Sequence, residues 1–359
     1  MPRWETSIPV VAQKALGHHG RSRSGAVPGA APDIVPVTFP VIQSVLDAAA
    51  LERAVADRYA LTAPPRCRLV SRGMNDIYQL VAGTQRFALK VARAGRTDPV
   101  FAYEPALVAH LARAGFAVPM PAATLDGAPF FTVDAPEGPR QVMLMRWLDG
   151  TVFTKATSED QARQLGAWLA RLHQAAATFS AAAPRRIAGA EQIKTRLPAL
   201  LDMVAGDAAT QAFLVRAADG LVTRAAALDA RALPRGPCHG DFQYANVMLQ
   251  PDRGLAVFDF SDCGEDFLVR DLAPFFWRAD FDGAGDHLNP AFVAGYEAVR
   301  PLSAAERAAL PLFRAARHLT LATAFATYVN RIGPVAGFDG NLRYYLSMIR
   351  LYCAEAGLA

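Results

Sequence analysis

The sequence predicts an α+β fold in two lobes, a small antiparallel sheet with one key helix followed by a larger, mainly helical lobe. Three observations predict it. Residues 66–92 read as three short strands broken by turn residues. Beyond residue 150 the texture turns helical, with apolar residues at spacings of three and four. Inside that second half, RGPCHGDFQYANVMLQPDRGLAVFDFSDCGEDFLVRD (235–271) sets Asp241, Asn246 and Asp259 at the ends of apolar segments. Sheet first, helices second and a polar hairpin between them imply a cleft between lobes.

The elements follow in order. Residues 1–38 contain HHGRSRSGAVPGAAP and no apolar run after the early arginine, which predicts a disordered leader and no secretory signal. Residues 41–60, VIQSVLDAAALERAVADRYA, have helical periodicity. Strands are expected at 66–72, 76–82 and 86–92, separated by Gly73-Met74-Asn75 and Gly83-Thr84-Gln85 as in an antiparallel meander. Alternation along the third strand puts Ala88 and Lys90 on one face, opposite Phe87, Leu89 and Val91. A helix over 99–114 carries Glu104 and is closed by Gly115.

QVMLMRWLDG then reads as a buried strand ending in a turn at Asp149-Gly150, where the lobes are expected to divide into 39–149 and 150–359. Ser158, with a carboxylate beside it, marks the start of the next helix. Further helices are expected at 191–204, 208–230, 268–280, 288–299, 303–331 and 340–356.

Composition narrows the function classes. With 52% apolar residues, a chain of 359 can fill a sizeable core. No uncharged apolar run of 18 residues appears, so no membrane span is expected. The net charge of +4 comes without a Lys/Arg block interleaved with aromatics, which argues against a nucleic-acid surface. Cys67, Cys238, Cys263 and Cys353 form no CxxC pair and are expected to be reduced thiols of a cytoplasmic protein, monomer or homodimer.

NVML and LAVFDF read as two buried strands joined by the turn QPDRG. Paired as a hairpin, they bring Asp241, Asn246 and Asp259 to one rim, with only oxygen ligands on offer. That donor set suits a hard cation such as Mg²⁺ carrying phosphate, with one carboxylate left to meet a substrate hydroxyl.

These motifs resemble the aminoglycoside-phosphotransferase/choline-kinase family, relatives of the protein kinases in fold. The resemblance is carried by Cys-His239-Gly-Asp241-Phe-Gln-Tyr-Ala-Asn246-Val, by Val-Phe-Asp259-Phe and by Arg-Asp271-Leu-Ala, and spans roughly residues 60–355. H-G-D-x-x-x-x-N stands in place of the protein-kinase H-R-D-x-x-x-x-N, and Asp259-Phe-Ser in place of D-F-G.

The resemblance implies a bilobal protein-kinase-like fold that uses ATP and Mg²⁺. Asp241 would be the catalytic base or orient the acceptor hydroxyl, and Asn246 and Asp259 would hold the metal. Lys90 would reach the α- and β-phosphates, paired with Glu104. Ser71 and Asn75 would donate to phosphate from the covering loop, and the Met143–Leu148 strand, with Met145 and Trp147, would bind adenine. His239 would brace the catalytic loop and Asp271 would hold it from below. The covering loop, Ser71-Arg72-Gly73-Met74-Asn75-Asp76, departs from the kinase pattern in having a single glycine.

The implied acceptor is a small hydroxyl compound bearing an amine, homoserine-, choline- or aminoglycoside-like, and within the family the chain most resembles the homoserine-kinase/stress-response-kinase branch. A Ser/Thr protein kinase and a nucleotide-binding scaffold are the alternatives. Asp262, Glu265 and Asp266 either draw a cationic acceptor or are solvated loop charges. Arg314, Arg317 and His318 either contact a second substrate or, the preferred reading, are ordinary residues of a late helix.

Overall fold

Strand alternation sorts the first sheet into two usable faces. In the computed structural model, which describes residues 39–358 except 97, 155–156, 188, 229–231 and 333–337, β1 (Arg66–Arg72), β2 (Asp76–Ala82) and β3 (Gln85–Val91) form a meander. With β4 (Phe131–Ala135) and β5 (Gly138–Arg146) they make a five-stranded antiparallel sheet in the order β1-β2-β3-β5-β4. Tyr78, Leu80, Leu89, Val91, Val142 and Leu144 pack from one face onto Leu51 and Val55 of α1 (Ala48–Ala56). Ala88, Met143 and Met145 line the opposite face against Phe101 of α2 (Asp98–Arg113). Lys90 points to this second face, as the alternation requires.

A buried arginine ties the sheet together at the root of the β1–β2 loop. Arg140 is fully buried; it donates to Asp76 at 2.8 Å and to the carbonyls of Ala92 at 2.7 Å and Ser44 at 2.8 Å. An unpaired guanidinium there would be costly, so these partners fix the register beside Asn75.

The second lobe is built around helices. The short strand β6 (Thr151–Val152) pairs with β8 (Val247–Gln250), which pairs with β9 (Gly254–Val257), and β7 (Arg235–Cys238) pairs with β10 (Gly264–Phe267). Helix α3 (Glu159–Ala176) begins with a full capping box between Ser158 and Gln161. It packs closely on α7 (Gly285–Glu297), where a Cβ on Gly166 would lie 1.9 Å from the Phe292 carbonyl oxygen. A second apolar cluster joins α4 (Ala190–Met203), α5 (Ala208–Ala226), α8 (Ala304–Ile332) and α9 (Phe338–Glu355), and α6 (Ala273–Phe281) lies against α7 and α8.

Several boundaries differ from the sequence reading. The first helix spans only Ala48–Ala56, because the Asp47 side chain caps it by accepting the Ala50 N–H at 2.8 Å. LAVFDF is strand only to Val257, and Asn246 belongs to a 3₁₀ turn, Tyr244–Asn246, ahead of β8. The helix expected from 268 starts at Ala273, after a 3₁₀ turn over Leu268–Leu272 and with Pro274 in its first turn. The ribbon of β7 and β10 is new: neither strand alternates strongly, and only their pairing defines them. The leader expected at 1–38 lies outside the described residues.

Candidate active site

The loop after β7 is held by one buried carboxylate. Asp271 accepts the backbone N–H of His239 at 2.7 Å and of Gly240 at 2.7 Å. His173 of α3 lies 3.2 Å from the same carboxylate, and its other ring nitrogen is 2.8 Å from the Tyr296 hydroxyl. Burial works against ionisation of Asp271, but His173, His239 and the Gly240 N–H together hold its pKa below the ordinary carboxylate value. His173, Cys238 and Asp271 bring potential ligand atoms within 4.8 Å of one another. With both Asp271 oxygens already accepting loop N–H groups, this group serves as a brace.

His239 adds a second hold on the loop. Its Nδ1 accepts the Asp241 N–H at 3.3 Å, so the proton sits on Nε2, which lies 3.2 Å from the Phe258 carbonyl. Gly240 takes φ +83°, and a Cβ there would lie 2.1 Å from the Asp262 carbonyl oxygen. The chain therefore needs glycine between His239 and Asp241.

Asp241 emerges from this loop with both carboxylate oxygens engaged. Oδ1 accepts from Arg317 of α8, and Oδ2 accepts from Gln243 at 3.1 Å and from the Asn246 amide at 3.0 Å. Asn246 also donates to the Asp241 carbonyl at 2.9 Å, which leaves its own Oδ1 as the atom available to a cation. Burial pushes the Asp241 carboxyl above its ordinary value; Arg317 pulls it down, and Asp262 and Asp259 add to the rise.

Asp259 is driven the other way. Burial opposes its ionisation, yet Lys90, the Ser261 hydroxyl and His239 hold its pKa below the ordinary value. Its φ of +60° is the only positive value at a non-glycine position among the described residues. Such a conformation costs on the order of 1 kcal/mol or more and persists where its surroundings enforce it.

Lys90 and Glu104 meet as the sequence reading expected, with Lys90 Nζ donating to both Glu104 oxygens at 2.6 Å in a fully buried pair. The same ammonium donates to Ser261 Oγ at 2.7 Å, and Ser261 donates to Asp259 Oδ1 at 2.5 Å. Ser261 thus joins the sheet's lysine to the carboxylate of the second lobe.

The covering loop behaves differently from its expectation. Asn75 does not point into open space but donates to Ser261 Oγ at 3.0 Å. Ser71 is exposed and paired across the β1–β2 ladder with Ile77, just after a shift in register between Leu69 and Ser71. In the hinge, Met145 is buried opposite Ala88, and the Trp147 N–H donates to the Arg86 carbonyl at 3.1 Å, so that N–H is already committed. Trp147 and Leu148 line a groove of about 540 Å³ with Gln250 and Arg253. That groove lacks Lys90, Asp241 and Asp259.

Comparison with known proteins agrees with this geometry. Residues 66–311 match the model of the phosphotransferase enzyme family, well over half of the chain. The chain belongs to this family. An uncharacterised protein of Deinococcus radiodurans is 36% identical over 293 residues, covering 79% of this chain and 83% of that protein. A homoserine kinase of Xanthobacter autotrophicus is 31% identical over 263 residues, covering 71% and 78%.

Among solved structures, a microcompartment-associated aminopropanol kinase superposes with a TM-score of 0.72 at 22% identity, covering 87% of this chain and 99% of that one. An amicoumacin kinase in complex with AMP-PNP and Ca²⁺ gives 0.71 at 17% identity, covering 85% and 93%. The fold of this phosphotransferase is therefore the bilobal, protein-kinase-like α+β arrangement. It is an enzyme that transfers phosphate to an alcohol group.

Sequence reasoning missed Ser261, His173 and the role of α8. Ser261 sits two positions after Asp259, and its contacts come from β3 and the β1–β2 loop. Nothing in the spacing signals them. Arg317 has no motif around it, and only the packing of α8 brings it to Asp241.

Proposed function

We propose that this phosphotransferase moves the γ-phosphate of ATP, with Mg²⁺, to a hydroxyl of a small amine-bearing metabolite. Residues 39–149 form the nucleotide-binding lobe, and 150–359 carry the catalytic groups and the acceptor site. The observation that carries this reading is the opposed pair of carboxylates. Burial raises the Asp241 carboxyl above its ordinary value, which favours a proton acceptor, while Lys90, the Ser261 hydroxyl and His239 hold Asp259 below its own.

In this reading the acceptor oxygen forms its bond to the γ-phosphorus while the bond to the ADP oxygen breaks. The hydroxyl proton passes to Asp241, late in a loose transition state governed by positioning. Lys90, fixed by Glu104, pairs with the α- and β-phosphates. Ser71 and Asn75 lie at the covering loop, where Asn75 has to leave Ser261 to meet phosphate.

Asn246 Oδ1 and the Asp259 carboxylate would hold the divalent ion, a fit supported by an all-oxygen donor set with an ionised member. When bound, the ion offsets phosphate charge that the side chains alone leave uncompensated. The hinge around Met145 and Trp147 is the adenine side of the cleft. No helix among the described residues is long and apolar enough to cross a membrane, and we place the enzyme in the cytoplasm.

Calorimetry with ATP, with and without Mg²⁺, tests the reading. Binding that needs the cation and weakens in Asp259→Ala supports it. Equal binding without Mg²⁺ supports the scaffold alternative.

A further inference from the structure

The acids around the Asp241 cleft are matched by cations of the chain itself. Asp262 lies 3.7 Å from Arg96, and Asp266 pairs with Arg270. Asp280 accepts from Arg314 at 3.1 Å, and Asp282 from Arg278 at 2.9 Å. In the stretch that read as a lure for cations, Asp262 and Asp266 thus face cations of the chain itself, and Glu265 accepts from the Tyr103 hydroxyl at 2.8 Å.

Arg317 stands apart from these pairs because its partner is the carboxylate that must receive a substrate hydroxyl. It donates to Asp241 Oδ1, and its side chain is 14% exposed. Its guanidinium lies 5.5 Å from the centre of the Trp277 ring. The Nε–H of Arg317 and the indole N–H of Trp277 are buried and have no hydrogen-bond partner among the described residues.

We propose that Arg317 reads the acceptor, and that the acceptor carries a carboxylate beside its hydroxyl. This rests on the phosphotransferase reading above and sets a carboxylate in place of the amine as the acceptor's defining group, so that hydroxy acids are accepted, hydroxy amino acids included. Asp241 Oδ1 accepts from Arg317 alone, so an acceptor whose hydroxyl approaches this oxygen meets the guanidinium beside it. A half-buried guanidinium leaves one anion at low cost when another takes its place, ideally through two parallel bonds.

Two unpartnered groups point the same way, while Gln243 Oε1 beside Asp241, also buried and without a partner among the described residues, suits a donor such as the ammonium of the same acceptor. Arg317 Nε–H and the Trp277 indole N–H are donors only, so the group that satisfies them must accept hydrogen bonds. A carboxylate does so and an ammonium does not.

The test compares matched acceptors with MgATP: L-homoserine, L-serine and D-glycerate, each beside its carboxylate-free counterpart, 3-aminopropan-1-ol, ethanolamine and ethylene glycol. For at least one pair, wild type should favour the carboxylate-bearing member by roughly 100-fold in kcat/KM, the scale for a desolvated ion pair. Arg317→Met should erase that preference by raising the acceptor KM, with the KM for MgATP within about twofold of wild type, since Arg317 acts on the acceptor side. Arg317→Lys, which retains charge but not the fork, should recover part of it.

An unchanged preference in folded Arg317→Met or Arg317→Lys overturns the proposal, as does wild-type use of the carboxylate-free compounds alone or equally well. No transfer to any carboxylate-bearing compound overturns it too. MgATP binding by calorimetry on the same sample then separates the two readings. Retained binding leaves the phosphotransferase reading standing with another acceptor, and lost binding removes both.

Discussion

Asp271, in the 3₁₀ turn over Leu268–Leu272, accepts the backbone N–H of Gly240 at 2.7 Å from 31 positions further along the chain. With the His239 N–H on its other oxygen, it sets the direction in which Asp241 leaves the loop.

Replacing Asp271 with Asn should therefore damage both stability and rate. The amide presents an NH₂ to one of two backbone donors and leaves that donor buried without a partner, a loss of about 2–4 kcal/mol. A melting temperature lower by several degrees and a kcat at least about tenfold lower are expected. Full activity with an unchanged melting temperature would show that the loop does not depend on this brace.

The same carboxylate makes an acid-sensitive contribution. Its pKa is lower folded than unfolded, so its stabilisation is fully present above the unfolded value and is lost as pH falls towards the folded one. Melting temperature measured from neutral into acid should fall more steeply for wild type than for Asp271→Asn. Parallel curves would contradict this.

Activity should also fall in acid, for a different reason. Asp241 must be ionised to take the hydroxyl proton, and burial raises its pKa, so the acidic limb of kcat/KM should lie above the ordinary carboxylate range. Arg317 lowers that pKa, so Arg317→Met should move the limb to higher pH. A limb unmoved in the variant would show that Asp241 does not govern it.

Gly240→Ala should be inactive or insoluble. The added Cβ meets the Asp262 carbonyl oxygen at 2.1 Å in a backbone conformation that disfavours side chains. Gly73→Ala, where a Cβ meets nothing within 4 Å, should fold with wild-type stability. Paired thermal melts check both.

Glu104→Ala removes the carboxylate that Lys90 Nζ bonds twice, leaving the buried ammonium the Ser261 hydroxyl and the field of Asp259, and should cost about 3–5 kcal/mol. Nucleotide affinity should fall with it. Calorimetry showing wild-type MgATP affinity would detach Lys90 from the nucleotide.

The parts of this site that could be read in the sequence are those whose meaning is local. Asp241 and Asn246 lie five positions apart in one loop, and strand alternation alone puts Lys90 on the face that Glu104 reaches. The parts that could not be read depend on segments far apart in the chain. Ser261 gains its role from Lys90 and Asn75, more than 170 and 180 positions away. Arg317 reaches Asp241 only because α8 packs beside the loop. Strand ends were misplaced where residues leave the ladder for the site: Asp259, in a left-handed conformation, cannot continue β9.

The measurement that tests the central claim most directly is phosphoryl transfer from labelled ATP, with Mg²⁺. The acceptors are homoserine, amino alcohols, hydroxylysine, aminoglycosides and a generic protein, with Asp241→Ala beside wild type. The account predicts label on a small hydroxyl compound with wild type and at least about 10²-fold less with the variant, whose MgATP affinity stays unchanged. Equal transfer by Asp241→Ala, or label on the protein acceptor alone, would contradict it.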